Sequence, residues 1–293
     1  MPEGVEIRWT AQCLSPLFTN KSTTGSNLMG KKLLELLEHS VQTIIHSQLF
    51  VPSICTSITS KGKALFIECE TFTIVIHFGL TGYLSIKEGD PHLRYTFRFE
   101  NQKLFYYDAR NFGHIGIMTN VSVLEYKTKK LGIDVFDINE FISSNFEKIV
   151  NRSKHQNICV FLMDQKKIAG IGNYAKCEIL YHANLSPLRK MNTLKPTEIY
   201  KLYHSICYVI FSCYSAGFAV PRTKNFYTIF DNLKCTQASI LKNESPEFLH
   251  IVKGLKKYII QVYDKKVDLT GNKVEKLDTP DKRTTYWVPL LQK

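Results

Sequence analysis

The chain has 293 residues, which suits two modest domains, and 44% of them are hydrophobic, which is enough for real cores. No apolar run approaches the about eighteen residues that a membrane span needs, so a membrane-spanning protein is excluded. Lys and Arg number 38 against 26 Asp and Glu, a net charge of +12. That surplus favours a polyanionic partner, nucleic acid before acidic membrane, although a merely soluble basic protein would share it.

The eight cysteines include no pair in CxxC spacing, so neither a zinc ribbon nor a CxxC redox motif is expected. The start of the chain lacks the layout of a secretory signal, because Glu3, Glu6 and Arg8 interrupt it early. We therefore expect an intracellular protein whose thiols are reduced and packed as small hydrophobic side chains. A metal site is not expected.

The chain begins MPEGVEIRWTAQCL, with a proline directly after the initiator methionine. Removal of that methionine would leave Pro2 as a secondary amine, and amines attack carbonyl carbons to form Schiff bases. The carboxylate of Glu3 could then move protons. Alternatively, both residues only precede a helix, one face of which would be formed by Val5, Trp9 and Cys13.

The next part of the chain is typical of β-strands. Residues 64–118 alternate apolar and polar positions and are interrupted by turn sequences. The segment KKLLELLEHS (31–40) is ambiguous, because it has helical propensity but lies between a glycine and this β-rich run. After LGIDVFD (131–137) the pattern changes, and from about 140 to 260 it is helical.

Two of the predicted helices flank the sequence AGIGN. Its glycines predict a tight reversal, and Asn173 is expected to cap the second helix. A turn with free backbone amides at a helix start can bind phosphate, but an ordinary helical hairpin explains the glycines equally well. A third helix, a polar aromatic loop (217–232) and short strands in the last 35 residues follow.

Five segments, taken together, resemble one known family in order and spacing. They are MPEGVE at the start, SKGKAL at 60–65, HFGLTG at 77–82, DARNFG at 108–113 and FLMDQKKIAGIGNYAKCEILYHANLSP at 161–187. The resemblance is to the Fpg/Nei family of DNA glycosylases. It implies an α+β fold with an N-terminal two-layer β-sandwich and flanking helices (1–135), a helix–two-turn–helix domain (140–258) and a finger made of an antiparallel hairpin (259–293).

The finger departs from the zinc-binding form found in many members. Where those members have four cysteines, this sequence has Val267, Thr270, Val288 and Leu291, none of which binds zinc well. The finger therefore resembles the zincless form of the Nei-like branch found in animals and giant viruses. Apolar packing by Tyr286, Trp287 and Val288 would replace the metal.

The resemblance also implies a catalytic mechanism. The nitrogen of Pro2 would attack C1′ of the damaged nucleotide, and Glu3 would protonate the opening ribose and later shuttle protons. Glu6 matches a second carboxylate with a supporting role. β-Elimination and δ-elimination would follow, without a metal or organic cofactor. Lys63 matches a lysine that contacts phosphate beside the lesion, although it could be a solvated turn lysine.

Six further positions would contact DNA. Asn173 and Arg283 match residues that bind the phosphates flanking the flipped nucleotide, although Arg283 could be an exposed hairpin arginine. His77 is expected to be structural or phosphate-binding. The last group would fill the space that the flipped base leaves, and consists of Leu80, Arg110 and Phe112. Alternatively, Leu80 and Phe112 belong to the core and Arg110 pairs with Asp108.

The loop at about 217–230 would read the damaged base. The branch resemblance implies oxidised pyrimidines and ring-opened purines over intact 8-oxoguanine. The expected partner is damaged double-stranded or single-stranded DNA, bound by a monomer that has no membrane partner and works inside the cell, in the nucleus or at a site of viral replication. Two alternatives are a non-catalytic DNA- or RNA-binding protein, which has no use for Pro2 and Glu3, and a protein-interaction module.

Overall fold

The computed structural model describes residues 2–19, 32–38, 52–216, 241, 244–256 and 258–293. Contacts divide the chain into two compact units. The N-terminal unit contains Met1–Lys127 and Pro221–Glu244, and the C-terminal unit contains Thr128–Val220 and Ser245–Lys293. The predicted base-reading loop at 217–230 lies outside the described residues.

The N-terminal unit starts with helix α1 (Gly4–Phe18). Glu3 and Glu6 form a reciprocal capping box that satisfies amides of the first turn. The apolar face predicted from the spacing is confirmed, since its three members are buried: Val5, Trp9 and Cys13. Through this face the helix packs on the sheet that follows.

That sheet has eight strands in the order β5-β7-β6-β1-β2-β3-β4-β8. The strands are β1 (Lys32–Glu38), β2 (Ser53–Lys61), β3 (Ala64–Cys69), β4 (Thr73–His77), β5 (Tyr83–Ser85), β6 (Leu93–Phe99), β7 (Lys103–Tyr107) and β8 (His114–Met118). β1 pairs with β6 along its length but with β2 only at Lys32 and Leu33. Two four-stranded halves therefore join at β1, and the segment that was ambiguous in the sequence is a strand. A short helix, α2 (Asn120–Glu125), follows the sheet.

The C-terminal unit is mainly helical. Its helices are α3 (Ser143–Asn151), α4 (Ile158–Met163), α5 (Asn173–Ala183), α6 (Pro196–Ala216) and α7 (Pro246–Lys253). A short parallel pair is formed by β9 (Ile133–Asp134) and β10 (Ile168–Ala169), and the finger consists of β11 (Glu275–Thr279) and β12 (Arg283–Trp287). Helix α5 packs against both α6 and β12. The expected α+β class, with a β-sheet domain followed by a helix–two-turn–helix domain, is confirmed.

Two composition-based expectations concern the chain as a whole. Within the described residues, seven cysteines are free thiols and six of them are buried, as expected for thiols that pack like small hydrophobic side chains. None of the helices in the described part of the chain is long and apolar enough to cross a membrane.

Candidate functional site

Pro2 and Glu3 stand at the start of α1 in a fixed environment. Pro2 is buried, and Glu3 is only 2% exposed. The backbone nitrogen of Glu3 donates to Oε2 of Glu6 at 2.9 Å. The carboxylate of Glu6 thereby holds the backbone next to Pro2, and the positive end of the helix dipole favours carboxylates at this point. The structure thus brings together three of the predicted catalytic residues.

The second turn of α1 is held by an ion pair within the same unit that the sequence did not indicate. The guanidinium of Arg8 contacts both carboxylate oxygens of Glu244, at 2.9 and 2.5 Å. Gln12 donates to the same carboxylate at 3.0 Å. The side chain of Glu244 is 3% exposed, so a bidentate pair and an amide fix the helix that begins directly after Pro2 and Glu3. The two partners are 236 positions apart, a separation at which local patterns carry no signal.

Lys63 lies in the tight hairpin between β2 and β3. Lys61 pairs with Ala64, which leaves a two-residue loop, and Gly62 has φ +56°. A glycine with positive φ at the first loop position is typical of the type II′ turns that match the twist of a hairpin. The turn therefore fixes the backbone of Lys63, whose side chain is half-buried rather than fully solvated.

His77 ends β4 and is held by neighbours in the sheet. Its Nε2 lies 2.8 Å from the hydroxyl of Tyr126, and it pairs across the strands with His114. Burial, and to a smaller degree the charge of His114, lowers the pKa of His77. A neutral imidazole with one nitrogen occupied can offer DNA a hydrogen bond but no charge. This environment favours the structural reading of His77 over the phosphate-binding one.

The three residues predicted to fill the space of the flipped base lie on two adjoining loops. Leu80 belongs to the loop after β4, and Arg110 and Phe112 belong to the loop after β7. The loops meet at Gly79, which has φ +59° and where an added Cβ would lie 2.5 Å from the carbonyl carbon of Phe112. Only glycine permits so close an approach of the two backbones. The structure therefore brings the three side chains to one place.

Exposure decides between the two readings of these residues. Phe112 is 63% exposed, which excludes a core role for it, and Leu80 is half-buried. The side chain of Arg110 is exposed, and within the described residues its guanidinium makes no hydrogen bond or ion pair. The two loops thus present an aromatic ring and a cation to the solvent, as an intercalating group requires.

Asp108 organises both loops and is a residue that sequence reasoning considered only as a partner of the Arg110 side chain. Its buried carboxylate accepts hydrogen bonds from the hydroxyl of Thr81, from the backbone nitrogen of Arg110 at 3.2 Å and from that of Gly113 at 2.7 Å. The bond to Arg110 runs through the backbone, so the predicted alternative of a side-chain pair is wrong. Asp108 holds the loop backbone while the guanidinium stays outside.

In the C-terminal unit, Asn173 does not cap α5 as the sequence suggested. Gly172 occupies the N-cap position, and Asn173 is the first helical residue. Its Nδ2 instead donates to the carbonyl oxygen of Thr284 at 3.0 Å. Gly172 has the extended backbone of an N-cap residue, with φ −122°, and the asparagine side chain joins the helix to the finger. The second proton on Nδ2 can donate to an anion.

Arg283 lies next to that contact. It is the first residue of β12, directly before Thr284, and is exposed. In the part of the chain that the structure describes, its side chain has no hydrogen bond or ion pair. The contact of Asn173 with Thr284 brings the two predicted phosphate-binding residues together.

The finger has no zinc-binding geometry. The positions that would carry the four cysteines are Val267, Thr270, Val288 and Leu291, and none supplies a thiolate, imidazole or carboxylate. Among the described residues there is no group of three or more His, Cys, Asp or Glu side chains that could hold a metal. The residues present therefore do not fit zinc.

Apolar packing and one aspartate take the place of a metal. Val288 is fully buried in a cluster with three other residues, Cys177, Val262 and Val274. Tyr286 of β12, two positions before Val288, packs on this cluster. The turn is closed by the carboxylate of Asp268, which accepts hydrogen bonds from Thr270, Asn272 and Tyr181 at 2.8–3.0 Å.

Two protein-family models match the chain. They are the formamidopyrimidine-DNA glycosylase N-terminal domain, over residues 1–115, and the formamidopyrimidine-DNA glycosylase H2TH domain, over residues 131–218. Among curated proteins, the formamidopyrimidine-DNA glycosylase of Pelotomaculum thermopropionicum is 31% identical over 215 residues, which are 70% of this chain and 75% of that protein. That of Vesicomyosocius okutanii is 26% identical over 74% of this chain and 79% of its own.

Solved structures have the same fold. A complex between the Lactococcus lactis Fpg and DNA containing an abasic site superposes with a TM-score of 0.76, at 21% identity. A structure of MutM in complex with DNA containing carbocyclic 8-oxo-G gives a TM-score of 0.74 at 20% identity. Both matches cover 100% of each chain.

Proposed function

The chain belongs to the formamidopyrimidine-DNA glycosylase family, and from that membership we propose that it is a DNA glycosylase and AP lyase acting on oxidised bases. The observation that carries the proposal is the start of the chain. Pro2 and Glu3 stand buried ahead of α1, with Glu6 holding the backbone between them and the helix. A module that only bound DNA would need neither the imino nitrogen nor the carboxylate.

In the proposed reaction, the nitrogen of Pro2 attacks C1′ of the damaged nucleotide and the glycosidic bond breaks, so that the base leaves with the bonding electron pair. Glu3 protonates the ring oxygen as the ribose opens, which gives an iminium between Pro2 and C1′. The iminium acidifies the C2′ proton. Loss of that proton expels the 3′ phosphate, and a second elimination expels the 5′ phosphate.

The remaining site residues would hold DNA. Lys63, Asn173 and Arg283 can donate to phosphates, while His77 would have a structural role. Phe112, Leu80 and Arg110 would occupy the space of the flipped base, whose extrusion costs a few kcal/mol. Without zinc ligands the finger is like that of the Nei-like branch, which supports oxidised pyrimidines and ring-opened purines as substrates. We propose that the protein acts as a monomer on double-stranded or single-stranded DNA inside the cell.

Borohydride trapping tests this proposal. Reduction of the iminium should join the protein covalently to a duplex that contains an abasic site or thymine glycol, and mass spectrometry should place the link on Pro2. Pro2→Gly should abolish the adduct, and Pro91→Gly, a matched change at an exposed proline, should keep it. A protein that binds the duplex but never forms an adduct would be a non-catalytic DNA-binding protein. An adduct that mass spectrometry places on a lysine, and not on residue 2, would point to a lysine nucleophile.

A further inference from the structure

The finger presents Arg283 at the end of a tight turn. Thr279 of β11 pairs with Arg283 of β12, which leaves three residues, 280–282, in the loop. Lys282 has φ +59°, and a left-handed last residue is typical of three-residue hairpin loops. Because Arg283 directly follows this loop, its direction depends on how the loop is held.

The loop is held from inside by a buried ion pair. Oδ2 of Asp281 lies 2.6 Å from Nζ of Lys176, and Oδ1 accepts a hydrogen bond from the hydroxyl of Thr279 at 2.5 Å. The side chain of Lys176 is 0% exposed and that of Asp281 is 3% exposed. Asp281 therefore faces the helix rather than the solvent, although it lies at the tip of a hairpin.

Lys176 comes from the same helix that carries Asn173. It lies three positions after Asn173 on α5, and the next residue, Cys177, accepts a hydrogen bond on Sγ from the backbone nitrogen of Tyr286 at 3.3 Å. Together with the contact of Asn173 to Thr284, three links join the N-terminal end of α5 to the finger. The two phosphate-binding candidates are thus fixed relative to each other by one short stretch of contacts.

We propose that Lys176 is a positioning residue for DNA binding: through Asp281 it sets the loop that directs Arg283 toward a phosphate. The inference rests on the proposed function, in which Arg283 contacts DNA. A pair as buried as this one need not stabilise the fold more than two apolar residues would, because desolvation offsets the attraction. What it does supply is one defined loop position, since hydrogen-bonded charges are directional and apolar contacts are not.

The test removes both charges together, because a single change would leave a buried charge without its partner. The variant is Lys176→Met/Asp281→Asn, in which the new amide still accepts from Thr279. Fluorescence anisotropy would measure binding to a duplex with a tetrahydrofuran abasic-site analogue across a series of KCl concentrations. We expect about tenfold weaker binding. The slope of log affinity against log KCl concentration should be shallower by about 0.9, which is the value for one lost phosphate contact.

A comparison with Arg283→Ala makes the test specific. That variant should show the same loss, and adding it to Lys176→Met/Asp281→Asn should weaken binding no further, because all three changes remove one contact. The matched control is Lys273→Met/Glu275→Gln, which removes a 3.2 Å ion pair from the same finger where both side chains are exposed. This control should bind like the wild type.

The proposal would be overturned if Lys176→Met/Asp281→Asn, shown to be folded by a circular-dichroism melt, binds the duplex with wild-type affinity and wild-type salt dependence. It would also be overturned if the loss of affinity in that variant adds to the loss in Arg283→Ala. If the double variant does not fold, Lys176→Met/Asp281→Leu, which replaces the pair by two apolar side chains, goes through the same comparison with Arg283→Ala, and the same two outcomes decide. Binding to the analogue needs no chemistry. A failure of borohydride trapping would therefore reject the proposed glycosylase activity without deciding the role of Lys176.

Discussion

Among single residues, Asp108 connects most directly to the surface that would enter DNA. Its carboxylate bonds to both loops that carry Leu80, Arg110 and Phe112. Asp108→Ala would leave the half-buried Gly113 amide and Thr81 hydroxyl without the buried carboxylate that accepts from them. We expect the free energy of unfolding in urea to fall by about 3 kcal/mol, since each unsatisfied buried donor costs 1–3 kcal/mol.

Asp108→Asn provides the control for this prediction, because its amide keeps one acceptor oxygen and should lose less stability than the alanine variant. Both variants should also weaken binding to an abasic-site analogue, as the loops lose their fixed position. Equal stability of Asp108→Ala and wild type would mean that the backbone contact of Gly79 with Phe112 holds the loops by itself.

His77 gives a prediction about pH. Its pKa is lowered in the folded chain, mainly by burial, so the folded state binds fewer protons than the unfolded state. Its contribution to stability is full above the ordinary pKa of 6.5 and is lost as the pH falls from there through the lowered value. His77→Gln should therefore lose less unfolding free energy than wild type between about pH 7.5 and 5.5, measured by urea unfolding at each pH.

Another histidine also contributes to the acid sensitivity of the fold. His182 also has a lowered pKa, through burial and the charge of Lys201, so part of the acid sensitivity should remain in His77→Gln. A pH dependence unchanged by His77→Gln would show that His77 is not shielded in solution as it is in the structure.

Among the structural elements, the finger is expected to fold and to bind DNA without a metal ion. Its turn is closed by Asp268 and its core by Val288 and neighbours, and neither contains a zinc ligand set. Treatment with EDTA should therefore leave the melting temperature and DNA binding unchanged, and elemental analysis should find less than one zinc per chain. A lower melting temperature after EDTA would reveal a metal site that this arrangement does not provide.

Asp268→Ala should in turn destabilise the finger. Burial would raise the pKa of Asp268, but hydrogen bonds from Asn272, Thr270 and Tyr181 outweigh it and lower that pKa. We expect a loss of about 2 kcal/mol in urea unfolding, because several donors lose one charged acceptor. The control is Asp278→Ala on the exposed part of β11, where a single contact with Thr284 is removed.

Helices and strands were predictable from the sequence where the local residue pattern and the tertiary packing favour the same secondary structure. The spacing of Val5, Trp9 and Cys13 sufficed for α1, because that helix has one buried face. β1 stayed ambiguous because leucine, lysine and glutamate favour helices, and only pairing with β6 makes the segment a strand. Lys176 could not be recognised, because a lysine in an apolar helix suggests solvent exposure and its partner is 105 positions away.

For the candidate site, the predictable part was the set of motif positions, which stand on loops and at the ends of helices and strands. Their family spacing identifies them, and turn glycines such as Gly79 keep them in place. The residues that support them, including Asp108 and the Arg8–Glu244 pair, have no motif of their own and become visible only through distances. The assigned roles of the motif residues stay predictions.

For the whole molecule, the net charge of +12 predicts a steep salt dependence of DNA binding. Lys63→Ala/Arg283→Ala should lower the slope of log affinity against log salt by about 1.8, since each lost phosphate contact removes about 0.9. Lys87→Ala/Lys103→Ala lowers the net charge equally at exposed positions outside the candidate site. Titrations should show a smaller change for this control. Equal slopes for the two variants would mean that general charge, and not these contacts, governs binding.

The finger closed by an aspartate has a chemical consequence. The sequence contains no cysteine after Cys235 and no methionine after Met191, so the finger has no sulfur for peroxide to attack. Cys177, a thiol that contacts the finger, is fully buried, and burial raises its pKa, which keeps it protonated and slow to react. Metal fingers lose their shape when their thiolates are oxidised. This one should keep its shape under the oxidative stress that generates damaged bases.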